Sequence, residues 1–229
     1  MPLLDHFHPP LSERRHWHSF HNSWATYLSS HLNALLPAGY FAEANVQFGV
    51  EIDVAAFEEG GAAPPAGWVP PPPRASLPLD LPGPVVEVGV FSRSGGPVLA
   101  GAVELVSPAN KDRPAHREAL VSKCAAYLQA GVGLVLVDVV TDRFADLHRD
   151  LLGRVGAGDP GPGSPLSGSA YRPVERGGTA GVDVWREPLA VGNRLPTLPL
   201  WLRGGLCLPV ELEATYERTC VEQRVQPAA

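Results

Sequence analysis

The chain has 229 residues, 45% of them hydrophobic, with a formal net charge of −6 and a sequence pI near 5.7. That length can bury a full core, and the acidic balance excludes avid, nonspecific nucleic-acid binding, leaving only a local patch for DNA or RNA. Cys124, Cys207 and Cys220 are odd in number and far apart, without a CxxC pair. This argues against a disulfide framework or a cysteine zinc site and points to the cytosol.

In chain order, residues 1–15 read as a proline-punctuated arm with no apolar run long enough for a signal peptide. No later segment approaches the roughly 20 apolar residues of a membrane span, so no membrane partner is expected. Trp17, Phe20, Trp24, Tyr27, Leu28, Leu32 and Leu35 recur at helical spacing before Pro37 and Gly39, which predicts a helix over 17–36. Residues 42–57 alternate as a strand, with a bend near Gly49 able to change the register of Asp53. EEGGAAPPAGWVPPPPR, residues 58–74, reads as a polyproline-like loop. Residues 84–91 and 97–106, joined by a short Gly-containing connection, predict a hairpin.

The most organised stretch is Leu99 to Val140. Ser107-Pro108 ends a strand, because the residue before proline is pushed away from helical geometry. From Pro114 to Ala130, Leu120, Cys124, Tyr127 and Leu128 recur at three- and four-residue spacing, predicting an amphipathic helix closed by Gly131. Val132 to Val140 is nearly continuous Val and Leu, as in a strand covered on both faces. The whole reads as a β-α-β crossover. A short helix over 142–155, a Gly/Pro linker, an antiparallel pair over 170–176 and 181–189, an extended segment over 195–209 and a helix within 210–225 complete the chain.

Two residues stand out in the crossover. Glu104 sits mid-strand between Val103 and Leu105, where an ionised carboxylate is costly unless paired with a cation or holding a metal. A structural arginine such as Arg113 or Arg117 would satisfy it equally well. Lys123 lies one turn from Leu120 and Tyr127, flanking the apolar stripe, so its amine can reach the sheet. The chain has only two lysines, Lys111 and Lys123, against sixteen arginines, and both fall inside this unit. An acid at a strand end (Asp53), a mid-strand glutamate (Glu104) and a nearby lysine (Lys123) form the set a metal-dependent phosphodiesterase needs. Carboxylates hold Mg²⁺ or Mn²⁺, and an ammonium steadies developing charge. His18 and His21, three apart, are the rival ligand pair for zinc, but with no HExxH motif or cysteines to accompany them, packing of the helix and arm is the default reading.

Asp53, VELVSPANK at Val103 to Lys111, and K-x-x-x-Y-x-x-x-G-V-x-L-V-x-V-D at Lys123 to Asp138, in that order, resemble an uncharacterised bacterial family of unknown function. That family is related to Uma-type restriction-endonuclease-like proteins of the PD-(D/E)xK superfamily. WHSFHN at Trp17 to Asn22, LPAGYFAE at Leu36 to Glu43, PLAVGNRLPTLPLWL at Pro188 to Leu202 and LPVELEATYER at Leu208 to Arg218 carry the same resemblance over nearly the whole chain. It implies one α/β domain over 1–229, restriction-endonuclease-like, whose mixed central sheet contains a β-hairpin and a β-α-β crossover. An N-terminal arm and helix (1–41), a core (42–155) and a linker with extended C-terminal decoration (156–229) are expected, and a homodimer is compatible with this plan.

The resemblance places the two acidic positions on Asp53 and Glu104, with Glu43 as an extra acidic metal ligand. It departs at the motif lysine, since Val106 stands two residues after Glu104 and Ile52 replaces the proline before Asp53. Lys123, or failing it Lys111, would then replace that lysine. The expected activity is Mg²⁺- or Mn²⁺-dependent nuclease chemistry or a degenerate descendant of it, the alternative being a non-catalytic binding or scaffold protein.

Overall fold

The fold is described from a computed structural model, over residues 1–48, 50–58, 68–79, 98–157 and 164–225. After a short helix α1 (Leu11–Arg14), α2 runs from Trp17 to Leu35 and ends as predicted at Leu36-Pro37. The segment 42–57, expected as one strand, is instead a hairpin of β1 (Tyr40–Phe48) and β2 (Val50–Glu58), with Phe48 paired to Val50. Alternation alone does not distinguish one long strand from two that double back, because both have the same period of two. The expected strand 84–91 lies outside the described residues.

The crossover is present. Strand β4 (Val98–Leu105) leads through α3 (Pro108–Asp112) and α4 (Pro114–Gln129) to β5 (Gly133–Asp138), which pairs parallel to β4. The charged turn after Ser107 is itself a helix. Ser107 and Asn110 form a reciprocal capping box and Pro108 occupies the first turn, which explains why so short a helix closes there. All six residues of β5 are buried, matching its unbroken apolar sequence.

A short helix α5 (Leu147–Arg154), capped by the Asp146 side chain, precedes β6 (Ser167–Arg176) and β7 (Thr179–Pro188). These two strands belong to the central sheet, which therefore draws on the segment expected as decoration. With the edge strand β3 (Ala75–Pro78), the sheet among the described residues has seven strands in the order β1-β2-β4-β5-β6-β7-β3, and β4–β5 pair in parallel while the other pairs are antiparallel. The extended C-terminal segment folds as a hairpin of β8 (Thr197–Trp201) and β9 (Cys207–Glu211), followed by α6 (Leu212–Glu222).

Alternate residues of the sheet feed two cores. Val54, Val103, Leu105, Val135 and Val137 pack with α2, α6 and the β8–β9 hairpin. Ala55, Ala102, Val106, Leu134 and Leu136 pack with α4 and α5. Helix α2 and helix α4 thus cover opposite faces, and both reach the end of the sheet where β4 stops. Six helices are present among the described residues, and none is long and apolar enough to cross a membrane.

Candidate functional site

β2 and β4 pair in register up to Val54 and Val103, so Asp53 and Glu104 are the next residues on each strand. Beyond that pair a side chain takes over from the ladder: the Leu105 N–H donates to Asp53 Oδ2 at 2.7 Å. Glu104 shares the sheet face of Ala102 and Val106, which points it at α4. There Lys123 Nζ donates to Glu104 Oε2 at 2.7 Å and the Tyr127 hydroxyl donates to Oε1 at 3.3 Å. Lysine and tyrosine stand four apart, one above the other on the helix, so a single face of α4 supplies both donors.

A cleft of about 390 Å³ opens over this junction, lined by Trp17, His21, Asp53, Glu104, Asn110 and Lys123 among others. The three residues expected to carry the chemistry therefore come together. Glu104 is 2% exposed, and its partner is Lys123, not Arg113 or Arg117. Burial pushes the Glu104 carboxyl well above the usual carboxylate range, the Lys123 ammonium pulls it back, and Asp53 adds to the rise. For Lys123, burial opposes the charge, but the Glu104 carboxylate outweighs it and holds the amine above its ordinary value. The pair as a unit retains its protons more tightly than either group does in water.

The other candidate residues are placed differently. Lys111, the reserve for the catalytic lysine, lies fully buried and turned away, 2.8 Å from Asp138 and bonded to the carbonyls of Val140, Arg143 and Pro165. It braces the chain after β5. Glu43, the extra metal ligand, is exposed on β1 opposite Ala55 and does not line the cleft. His18 and His21 take different partners. His18 is exposed and meets Asn22 at 3.2 Å, whereas His21 is buried and directed at Leu105 and Asp53. Among the described residues no group of three or more His, Cys, Asp or Glu is placed to hold a metal ion.

Two contributors were hidden in the sequence. Tyr127 counted as part of the apolar stripe, although its spacing from Lys123 was the available signal. His21 Nε2 donates to the Leu105 carbonyl at 2.9 Å and lies 3.4 Å from Asp53 Oδ1. Burial disfavours a charged ring there, but Asp53 and the Leu105 carbonyl prevail and lift the imidazole to about 9.

No protein-family model, curated protein or solved structure matches this chain.

Proposed function

We propose that the cleft is the centre of a PD-(D/E)xK-like, restriction-endonuclease-like domain that hydrolyses phosphodiester bonds in DNA or RNA with Mg²⁺ or Mn²⁺. The observation that carries this reading is the meeting of Lys123 with Glu104 at 2.7 Å in an open cleft that Asp53 also lines. Two carboxylates suit Mg²⁺, which keeps several waters and takes one or two carboxylates in place of an all-protein cage. Asp53 and Glu104 would hold it. When bound, such an ion polarises the phosphate and lowers the pKa of a coordinated water. Lys123 would stabilise negative charge developing beside Glu104, and Tyr127 would keep Glu104 oriented. Val106 is buried against α4, so the strand position two residues after Glu104 has no room for a solvated amine and the helix provides it.

The second reading, a binding or scaffold protein without catalysis, is favoured by one feature: both Glu104 oxygens already have protein partners. Calorimetric titration of Mg²⁺ and Mn²⁺ into wild type and Glu104→Ala separates the two. The nuclease reading expects binding, with proton release because the ion displaces a tightly held proton, and loss of binding in the variant. Binding accompanied by cleavage of single- or double-stranded DNA or RNA supports the enzyme; absence of binding supports the scaffold.

A further inference from the structure

We propose that His21 is the positioning residue that fixes the Asp53 carboxylate at the edge of the cleft, an inference that rests on reading the cleft as a site for a hard divalent cation. Asp53 stands where the β2–β4 ladder has ended, and a carboxylate there has two free torsions unless something holds it. Its Oδ2 accepts the Leu105 N–H at 2.7 Å. Its Oδ1 lies 3.4 Å from His21 Nε2, whose N–H also reaches the Leu105 carbonyl at 2.9 Å. Asp53, His21 and the two backbone polar groups of Leu105 thus close a ring in which each carboxylate oxygen has one contact.

The arrangement is two-sided. Helix α4 holds Glu104 from one face of the sheet through Lys123 and Tyr127, and α2 holds Asp53 from the other face through His21. The two acids are thereby set by opposite layers, so their mutual placement depends on both helices. The molecule's other two buried histidines bond differently: His6 meets the Tyr216 hydroxyl at 2.7 Å and His148 the Tyr171 hydroxyl at 2.6 Å, and neither lines the cleft. His21 is the buried histidine directed at a carboxylate of the site.

The test compares Mn²⁺ affinity by calorimetry in wild type, His21→Ala, His21→Gln and Leu28→Ala. Leu28, fully buried on α2 about two helical turns from His21 and not lining the cleft, serves as the packing control. Residues that orient a ligand typically change affinity by 10–100-fold, so His21→Ala should weaken Mn²⁺ by about tenfold or more, while His21→Gln, which keeps an N–H at similar reach, should stay within about threefold. Leu28→Ala should melt earlier yet bind Mn²⁺ as wild type does. Wild-type affinity in His21→Ala, or an equal loss in Leu28→Ala, would overturn the positioning role while leaving the cation reading intact. No Mn²⁺ binding by wild type would overturn both. Should His21→Ala not fold, ring ¹⁵N resonances of the wild type under Mg²⁺ titration decide: His21 should shift while His6 and His148 stay, and an unmoved His21 overturns the role.

Discussion

At the scale of single residues, the proposed nuclease reading rests on the Glu104–Lys123 pair, which carries the sharpest expectations. Lys123→Ala should abolish metal-dependent cleavage while sparing Mg²⁺ binding, because the carboxylates hold the ion and the ammonium acts on the transition state. Lys123→Arg should rescue poorly, since a planar guanidinium cannot take the place of a compact ammonium 2.7 Å from a 2%-exposed carboxylate. Full cleavage by Lys123→Ala would end the mechanism, as Lys111 is committed to Asp138. Glu104→Gln mimics the neutral carboxyl that burial favours, so near pH 6, where the unfolded chain already ionises Glu104, the variant should be at least as stable as wild type. Wild-type Glu104 holds its proton more tightly folded than unfolded, and its contribution is lost as pH rises through the raised folded value. The variant has no such proton to lose. Urea melts at pH 6 and pH 9 should therefore show Glu104→Gln gaining on wild type at the higher pH, and a large loss at pH 6 would identify an ionised structural pair instead.

At the scale of elements, close approaches fix how the layers seat. A Cβ on Gly133, the first residue of β5, would lie 1.9 Å from the Trp201 carbonyl of β8, a backbone atom that no rotamer can move. A Cβ on Gly101 would meet Leu202 Cδ2 at 2.6 Å, the tip of a flexible side chain. Gly133→Ala should cost about 3 kcal/mol or more and Gly101→Ala about 1–2 kcal/mol, as overpacking penalties run; chemical denaturation of the two variants checks the ranking. Lys111 ties α3 to the end of β5 and to the chain beyond it. Lys111→Ala leaves Asp138 buried without its cation and should lose about 3–5 kcal/mol, the range for breaking a buried pair. Its Mn²⁺ affinity should be unchanged wherever it remains folded.

At the scale of the whole molecule, buried histidines of opposite sign shape the pH dependence of folding. Burial drives His6 and His148 down to about 4, with Arg186 adding to the effect on His148. The unfolded chain takes up these protons first, so the contribution of these two histidines falls as pH drops from 6.5 toward 4, against the opposite trend of the raised carboxyls of Glu104 and Asp138. His21 is raised to about 9, so its contribution is complete below 6.5 and is lost as pH climbs through 9. Glu104 acts in the same direction as His21. Stability should therefore fall as pH rises from 6.5 to 9, and His21→Gln should lessen that fall; melting temperatures across pH 6–10 read this directly.

Helix α2, the β4-α4-β5 crossover and the β6–β7 pair were legible from periodicity and from punctuation by Pro37, Pro108, Pro114 and Gly131, because those signals are local. The doubling back of β1 onto β2 was not, since a hairpin and a single strand share one alternation. The anomaly of Glu104 and the flank position of Lys123 also followed from the sequence, as burying a charge is expensive wherever the strand sits. What lay beyond local pattern was choice among partners. Lys111 and Lys123 are equally positive in sequence, and only the tertiary packing sends Lys111 of α3 to Asp138 on β5 and Lys123 of α4 to Glu104 on β4. His21 and Asp53, 32 residues apart by their numbers, meet because α2 covers the face of the sheet opposite α4. Local residue order determines which elements form and where a charge is out of place; which side chain answers that charge is decided by long-range packing, because the partners approach each other only when both faces of the sheet are covered.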